Sequence, residues 1–247
     1  MITIKSQSEL SLMRQAGSIV RDALLLVEEN IRPGITTRKI DSIVYEYITK
    51  CGAKPSFLGY EGYPASACVS VNDEVVHGIP SDRVIVEGDI VSVDVGAQVG
   101  GYHGDAARTF GVGAISGQLS NLIQVCRESF FEGVKYCVEG MRLGDISSAI
   151  QTYVESNGYS IVRELTGHGI GKQLHEDPYI PNYGVKGKGV RLQNGMALAI
   201  EPMINMGARD VWCLEDGWTV TTRDGLPSAH YENTVVITQN GPEILTL

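Results

Sequence analysis

The sequence predicts an α+β protein whose core is written twice, with two related halves packed about a pseudo-twofold axis and helices covering a mostly antiparallel sheet. Three observations predict it. Each half runs through the same order of amphipathic helix, turn, second helix and glycine. Single residues keep a spacing constant to within one position: Arg21-Asp22 falls on Arg127-Glu128, Gly34 on Gly140, Ile40 on Ile146, Tyr47 on Tyr153 and Gly52 on Gly158. Two apolar runs, Gly88 to Asp94 and Gly195 to Glu201, then begin with a glycine and end in a carboxylate. A half that cannot bury its own apolar sheet face packs beside its copy, so matched residues such as Asp94 and Glu201 meet near the axis. We therefore expect one domain over residues 1–247, made of halves at about 10–110 and 115–240.

The elements follow in order. Leu12, Ala16, Ile19, Ala23 and Val27 recur at three- and four-residue steps and predict a helix from Ser8 to Asn30. A second helix is expected from about Thr36 to Lys50, with Thr36 as N-cap, Ile40, Ile43, Val44 and Tyr47 on one side, and Gly52 as its end. Strand-like pieces come next: Ala67 to Val71, Ile90 to Val95 and Gly104 to Phe110. Alternation places Asp94 on the face of Ile90 and Ser92, opposite Val91, Val93 and Val95. With Gly96, Gly100 and Gly101 as turn residues, a hairpin is expected to set Asp94 opposite Asp105. In the second half Glu201 ends an apolar strand before Pro202, and Glu232 opens the strand that runs to Ile237. Both hairpins carry His-x-carboxylate on their second strand, His103-Gly104-Asp105 and His230-Tyr231-Glu232. The loop of the second is longer and bears Trp212 and Trp218.

Composition narrows the function. A 247-residue chain that is 43% hydrophobic is large enough for a folded enzyme core. No run approaches the roughly 18 apolar residues of a membrane-spanning helix, and the start lacks a basic region followed by an apolar stretch, so a cytoplasmic protein without membrane contact is expected. Five cysteines, Cys51, Cys68, Cys126, Cys137 and Cys213, contain no CxxC pair and read as reduced thiols. A net charge of -9, from 29 acidic against 20 basic residues, argues against a nucleic-acid backbone as specific partner.

An ionised carboxylate on a strand as apolar as that of Asp94 is costly unless something pairs with it, and two such groups repel unless a cation lies between them. Asp94, Asp105, Glu201 and Glu232 pose that problem together. His168, in Thr166-Gly167-His168-Gly169-Ile170-Gly171, adds an imidazole whose flanking glycines allow close backbone approach. That segment is no phosphate loop, since Thr166 stands where Walker A needs glycine and Gln173 follows Lys172. Four carboxylates and one imidazole suit two divalent cations, Co, Mn, Fe or Zn, better than one, and a cation pair activates water for hydrolysis.

The same residues carry a resemblance. Asp94, Asp105, His168, Glu201 and Glu232, embedded in VSVDVGA, YHGDAARTF, TGHGIGKQLHEDP, AIEPM and SAHYENTVVIT, resemble type I methionine aminopeptidases of the compact bacterial form over almost the whole chain. The resemblance implies the pita-bread fold and a single catalytic domain that removes the initiator methionine from nascent proteins and peptides with a small second residue. It implies that Asp94 chelates one metal, that Asp105 and Glu232 bridge, and that His168 and Glu201 complete the other. His77 matches the histidine at the scissile amide and His175 the one that stabilises the carbonyl oxygen, while a metal-bridging hydroxide attacks and Glu201 relays its proton. Phe57, Tyr60, Tyr63, Cys68, His77, Leu174 and Trp218 match the methionine pocket; Leu174 stands where an aromatic ring is common and Phe57 where a smaller residue is. The expected partner is a peptide or nascent-chain N-terminus, with transient ribosome contact and a monomeric state. Ile2 is β-branched, so Met1 is expected to stay on this chain. Prolidase-like and creatinase-like hydrolases, and a non-enzymatic module on the same fold, are the rival readings.

Overall fold

The computed structural model describes residues 2–247. The expectation about Met1 lies outside the described residues.

Helix α1, Gln7–Asn30, starts in a capping box in which the Ser6 side chain accepts from the Glu9 backbone and Glu9 accepts from that of Ser6. Its buried stripe is Leu10, Met13, Ala16, Gly17, Val20, Ala23, Leu24 and Val27, so Leu12 and Ile19 sit at the edge of the expected face. Helix α2, Thr37–Lys50, is capped by the Thr36 side chain and buries Thr37, Ile40, Val44 and Ile48. Together they cover a sheet in which β1 (Ala67–Val71) and β3 (Tyr102–Gly111) flank β2 (Ile90–Val99), all antiparallel. Val91, Val93 and Val95 face these helices in one core; Ser92 turns the other way to meet the Thr109 hydroxyl at 2.8 Å.

The second half repeats this arrangement. Helices α3 (Gly117–Val134) and α4 (Leu143–Ser156) cover β4 (Gly167–Gly169), β6 (Ala197–Ile200) and β8 (Asn233–Thr238), which pair in that order, with β5 (Glu176–Ile180) and β9 (Gly241–Ile244) at the edges, while β7 (Met203–Asn205) pairs separately with Ser228–His230. Matched positions hold matched chemistry. Tyr47 donates to the Asp22 carboxylate, as Tyr153 donates to that of Glu128. Thr36 bridges to Val84 where Arg142 bridges to Arg191. Gly34 and Gly140, like Gly52 and Gly158, all adopt positive φ.

The halves meet along β3 and the start of β8. Ala107 and Glu232 exchange backbone hydrogen bonds of 3.4 and 3.0 Å. Thr234 Oγ1 accepts from the Asp105 amide and donates to its carbonyl, and Thr109 Oγ1 does the same for His230. The half-buried Arg108 guanidinium donates across the seam to the Glu232 and Thr246 carbonyls and the Asn233 side chain. Among the described residues no helix is long and apolar enough to cross a membrane.

Candidate metal centre and substrate cavity

The expected cross-strand pairing of the first two carboxylates is corrected by the register. Gly100 and Gly101, at φ 57° and 86°, form a two-residue turn that pairs Val99 with Tyr102. Counting back from that turn, Asp94 lies opposite Ala107 and Asp105 opposite Gly96. The two carboxylates are therefore diagonal neighbours on one face, and Gly96 is a strand residue rather than part of the turn. A side chain at Gly96 would collide with Phe57 Cε1 and Ser56 Cβ at 2.8 Å, so its absence lets the Phe57 ring lie over the sheet. Strand β6 ends at Ile200 and β8 begins at Asn233, which face each other; Glu201 and Glu232 are the next residues outward.

His168 projects from β4 between glycines that have no room for a Cβ, Gly167 against the Ala199 carbonyl and Gly169 against that of Asp177. Its Nδ1 donates to the Gly169 carbonyl at 2.9 Å, which leaves the Nε2 lone pair facing Glu201 Oε1 at 3.6 Å and Asp105 Oδ2 at 3.9 Å. Asp105, His168 and Glu232 place ligand atoms within 4.8 Å of one another, and Glu201, His230 and Glu232 do likewise. Glu232 belongs to both groups, so a dinuclear metal-binding site is present, with a carboxylate shared between its two positions.

The electrostatics fit such cations. Burial pushes the Asp94 carboxyl up to about 7 and that of Glu201 to about 8, and drives Asp105 and Glu232 well above the carboxylate range, their acidic neighbours adding to the effect. Asp94 Oδ1, Asp105 Oδ1 and Glu232 Oε1 are buried without a hydrogen-bond partner. Orphaned buried oxygens converging from both halves are what two divalent ions would satisfy. Burial holds His168 down at about 3, so its imidazole is already in the neutral, ligating form.

These acids floor a cavity of about 190 Å³. Every residue expected of the site lines it: Asp94, Asp105, His168, Glu201, Glu232, His77, His175, Phe57, Tyr60, Tyr63, Cys68, Leu174 and Trp218. The Tyr63 and Trp218 rings meet edge to face at 5.0 Å, and Tyr63 donates to the Gly78 carbonyl at 2.9 Å. His175 Nδ1 contacts the Tyr60 hydroxyl at 2.8 Å and its ring lies 4.3 Å from that of His168. His77 takes a left-handed backbone, φ 59°, which turns its ring toward Trp218. Glu61, Val76, Leu165, Thr166 and Met203 also line the cavity and were not anticipated. The two histidines of the repeated His-x-carboxylate pattern diverge: His103 is held by Ser56 and Gln98, whereas His230 faces Glu201.

A duplicated helix-covered sheet with a carboxylate and histidine metal centre at its seam defines a metal-dependent hydrolase. Comparison with known proteins agrees. The description of metallopeptidase family M24 matches residues 11–239. A methionine aminopeptidase from Clostridium perfringens is 56% identical over 247 residues, covering 100% of this chain and 99% of that one. The crystal structure of a methionine aminopeptidase from Thermotoga maritima superposes with a TM-score of 0.98 at 50% identity, covering 100% and 99% of the two chains. A prolidase from Pyrococcus furiosus shares the fold at 27% identity and TM-score 0.82, but this chain spans 65% of it. The chain belongs to metallopeptidase family M24, in the branch of the type I methionine aminopeptidases, with their pita-bread fold.

Proposed function

We propose that the protein removes N-terminal methionine from peptides and nascent chains whose second residue is small. The observation that carries this reading is the cavity itself, in which a carboxylate and imidazole floor adjoins a wall of Phe57, Tyr60, Tyr63, Cys68, Leu174 and Trp218. Aromatic and sulfur groups suit a thioether, which makes dispersion contacts and needs no hydrogen bond.

In this assignment Asp94, Asp105, His168, Glu201 and Glu232 would hold the two cations, Asp94 on one, His168 and Glu201 on the other, with Asp105 and Glu232 serving both. Mn(II), Co(II), Fe(II) or Zn(II) suits such a donor set. When bound, the cations supply Lewis-acid activation of water and neutralise the clustered acids. His175, steadied by Tyr60, donates toward the carbonyl oxygen as it gains charge, and His77 contacts the amide being cleaved. Glu201 takes a proton from the attacking water and passes it to the leaving amine. The second substrate residue lies between these histidines and the metal-binding acids, where a bulky side chain collides.

The matched helices, turns and seam support a single catalytic domain of two halves, about 10–110 and 115–240. We place it in the cytoplasm, a reducing compartment that suits its five unpaired cysteines, as a monomer that contacts the ribosome transiently. The test is hydrolysis of a methionyl-alanyl peptide: EDTA should abolish it and Mn(II) or Co(II) restore it, with methionyl-isoleucyl peptide a poor substrate. Asp105→Asn should lose turnover and at least one ion. Full activity with two ions retained in that variant, or cleavage only before proline, would overturn the assignment.

A further inference from the structure

His230 is the buried histidine that the functional reading leaves unused. Only 1% of its surface is exposed, and its Nε2 has no hydrogen-bond partner. Its backbone is fixed at the seam, where Thr109 Oγ1 accepts from its amide at 2.9 Å and donates to its carbonyl at 2.9 Å. Its ring points at the carboxylate cluster, with Nε2 3.4 Å from Glu201 Oε2. Glu201 therefore has a histidine on each oxygen: His168 Nε2 at Oε1, 3.6 Å away, and His230 Nε2 at Oε2.

The two rings are set the opposite way round. His168 Nδ1 donates to the Gly169 carbonyl, so its Nε2 offers a lone pair and Glu201 Oε1 faces the same position as that lone pair. His230 Nδ1 makes no hydrogen bond among the described residues, whereas Nε2 faces the Glu201 carboxylate. A neutral imidazole so placed carries its proton on Nε2, toward Oε2. We infer that His230 is a positioning residue of the metal centre: its Nε2–H donates to Glu201 Oε2 and holds the carboxylate so that Oε1 is presented beside His168. The separation of 3.4 Å shortens to a hydrogen bond with a small rotation of the Glu201 carboxylate. Outer groups of this kind fix ligand orientation and typically change metal affinity about 10- to 100-fold when lost.

The inference rests on Glu201 being a metal ligand, and the experiment separates the two. Co(II) is titrated into metal-free wild type, His230→Gln and His230→Leu, followed by calorimetry and visible absorption. Glutamine keeps an N–H donor at similar reach, while leucine keeps bulk without a donor. Wild type should take up two Co(II) ions, His230→Leu should bind one of them about 10- to 100-fold more weakly, and His230→Gln should stay within about threefold of wild type with the same Co(II) spectrum. Equal binding in all three proteins overturns the inference. So does a glutamine variant as weak as leucine with an altered spectrum, which would make His230 a nitrogen ligand. Should His230→Leu not fold, His230→Asn, whose shorter amide cannot reach Glu201, replaces it with the same expected loss. Undiminished binding of both ions by Glu201→Gln would instead sink the ligand assignment beneath the inference.

Discussion

At the scale of single residues, the site is governed by carboxyl groups that burial keeps from ionising. Asp94 at about 7 and Glu201 at about 8 hold protons near neutral pH, Asp105 and Glu232 are likewise driven well above the carboxylate range by burial, and His168 at about 3 holds none. Metal uptake must displace those carboxyl protons, so affinity should rise as pH climbs through about 7 to 8 and binding at pH 7 should release protons. Calorimetry in buffers of different ionisation enthalpy measures the release, and a pH-independent affinity would contradict the arrangement. His175 belongs to a different part of the site. Held by Tyr60 and exposed at the cavity mouth, it should affect rate more than recognition: His175→Ala is expected to lower kcat about 10²-fold with little change in KM. A raised KM at constant kcat would make it a binding residue instead. The ligand set was legible in sequence because unpaired acids on apolar strands demand a counter-charge. His230 was not, since the pattern that contains it also contains His103, and only the fold shows that one ring meets Ser56 and Gln98 while the other meets Glu201.

At the scale of elements, periodicity located both helices of the first half to within about a residue, and chemistry at their ends explains why. Glu9 is a good instance. Its carboxylate accepts from the Tyr102 hydroxyl and from Ser6, and these bonds draw it down to about 2. A carboxyl lowered on folding stabilises the native state above its unfolded value of about 4.5 and loses that contribution as pH falls toward 2. Glu9→Gln should therefore melt below wild type at pH 7, and the difference should vanish by about pH 2. A gap in Tm that persists undiminished in acid would show that charge is not what matters there. The hairpin register was readable in principle from the adjacent Gly100-Gly101 pair, which favours a two-residue turn. Treating Gly96 as a third turn residue is what displaced Asp94 from its true partner Ala107. The limits of the helix faces were less readable, because Leu12 and Ile19 lie only partly covered beside Met13 and Val20, a one-residue rotation that tertiary packing decides.

At the scale of the whole molecule, function depends on the seam. Arg108 ties it, its donors taken by the Ala107, Glu232 and Thr246 carbonyls and the Asn233 side chain, with its guanidinium 4.3 Å from the Tyr231 ring. Removing it leaves buried acceptors unmet on both sides, so Arg108→Ala should lower stability by about 3 kcal/mol and reduce metal uptake as well. Urea unfolding checks the first and Co(II) titration the second; a variant as stable as wild type would mean water replaces the guanidinium. The duplication was visible in sequence from Asp22 and Tyr47 recurring as Glu128 and Tyr153, pairs that are hydrogen-bonded in each half, but the seam itself was not, being made by threonine hydroxyls and one arginine without periodicity. Because the centre draws Asp94 and Asp105 from one half and Glu201 and Glu232 from the other, its assembly follows the order of synthesis. A ribosome releases the first pair early, and they wait on an apolar strand until β8 is made. Translation must therefore pass Glu232 before a molecule can act on any other chain, so the first half alone, however well folded, is catalytically silent.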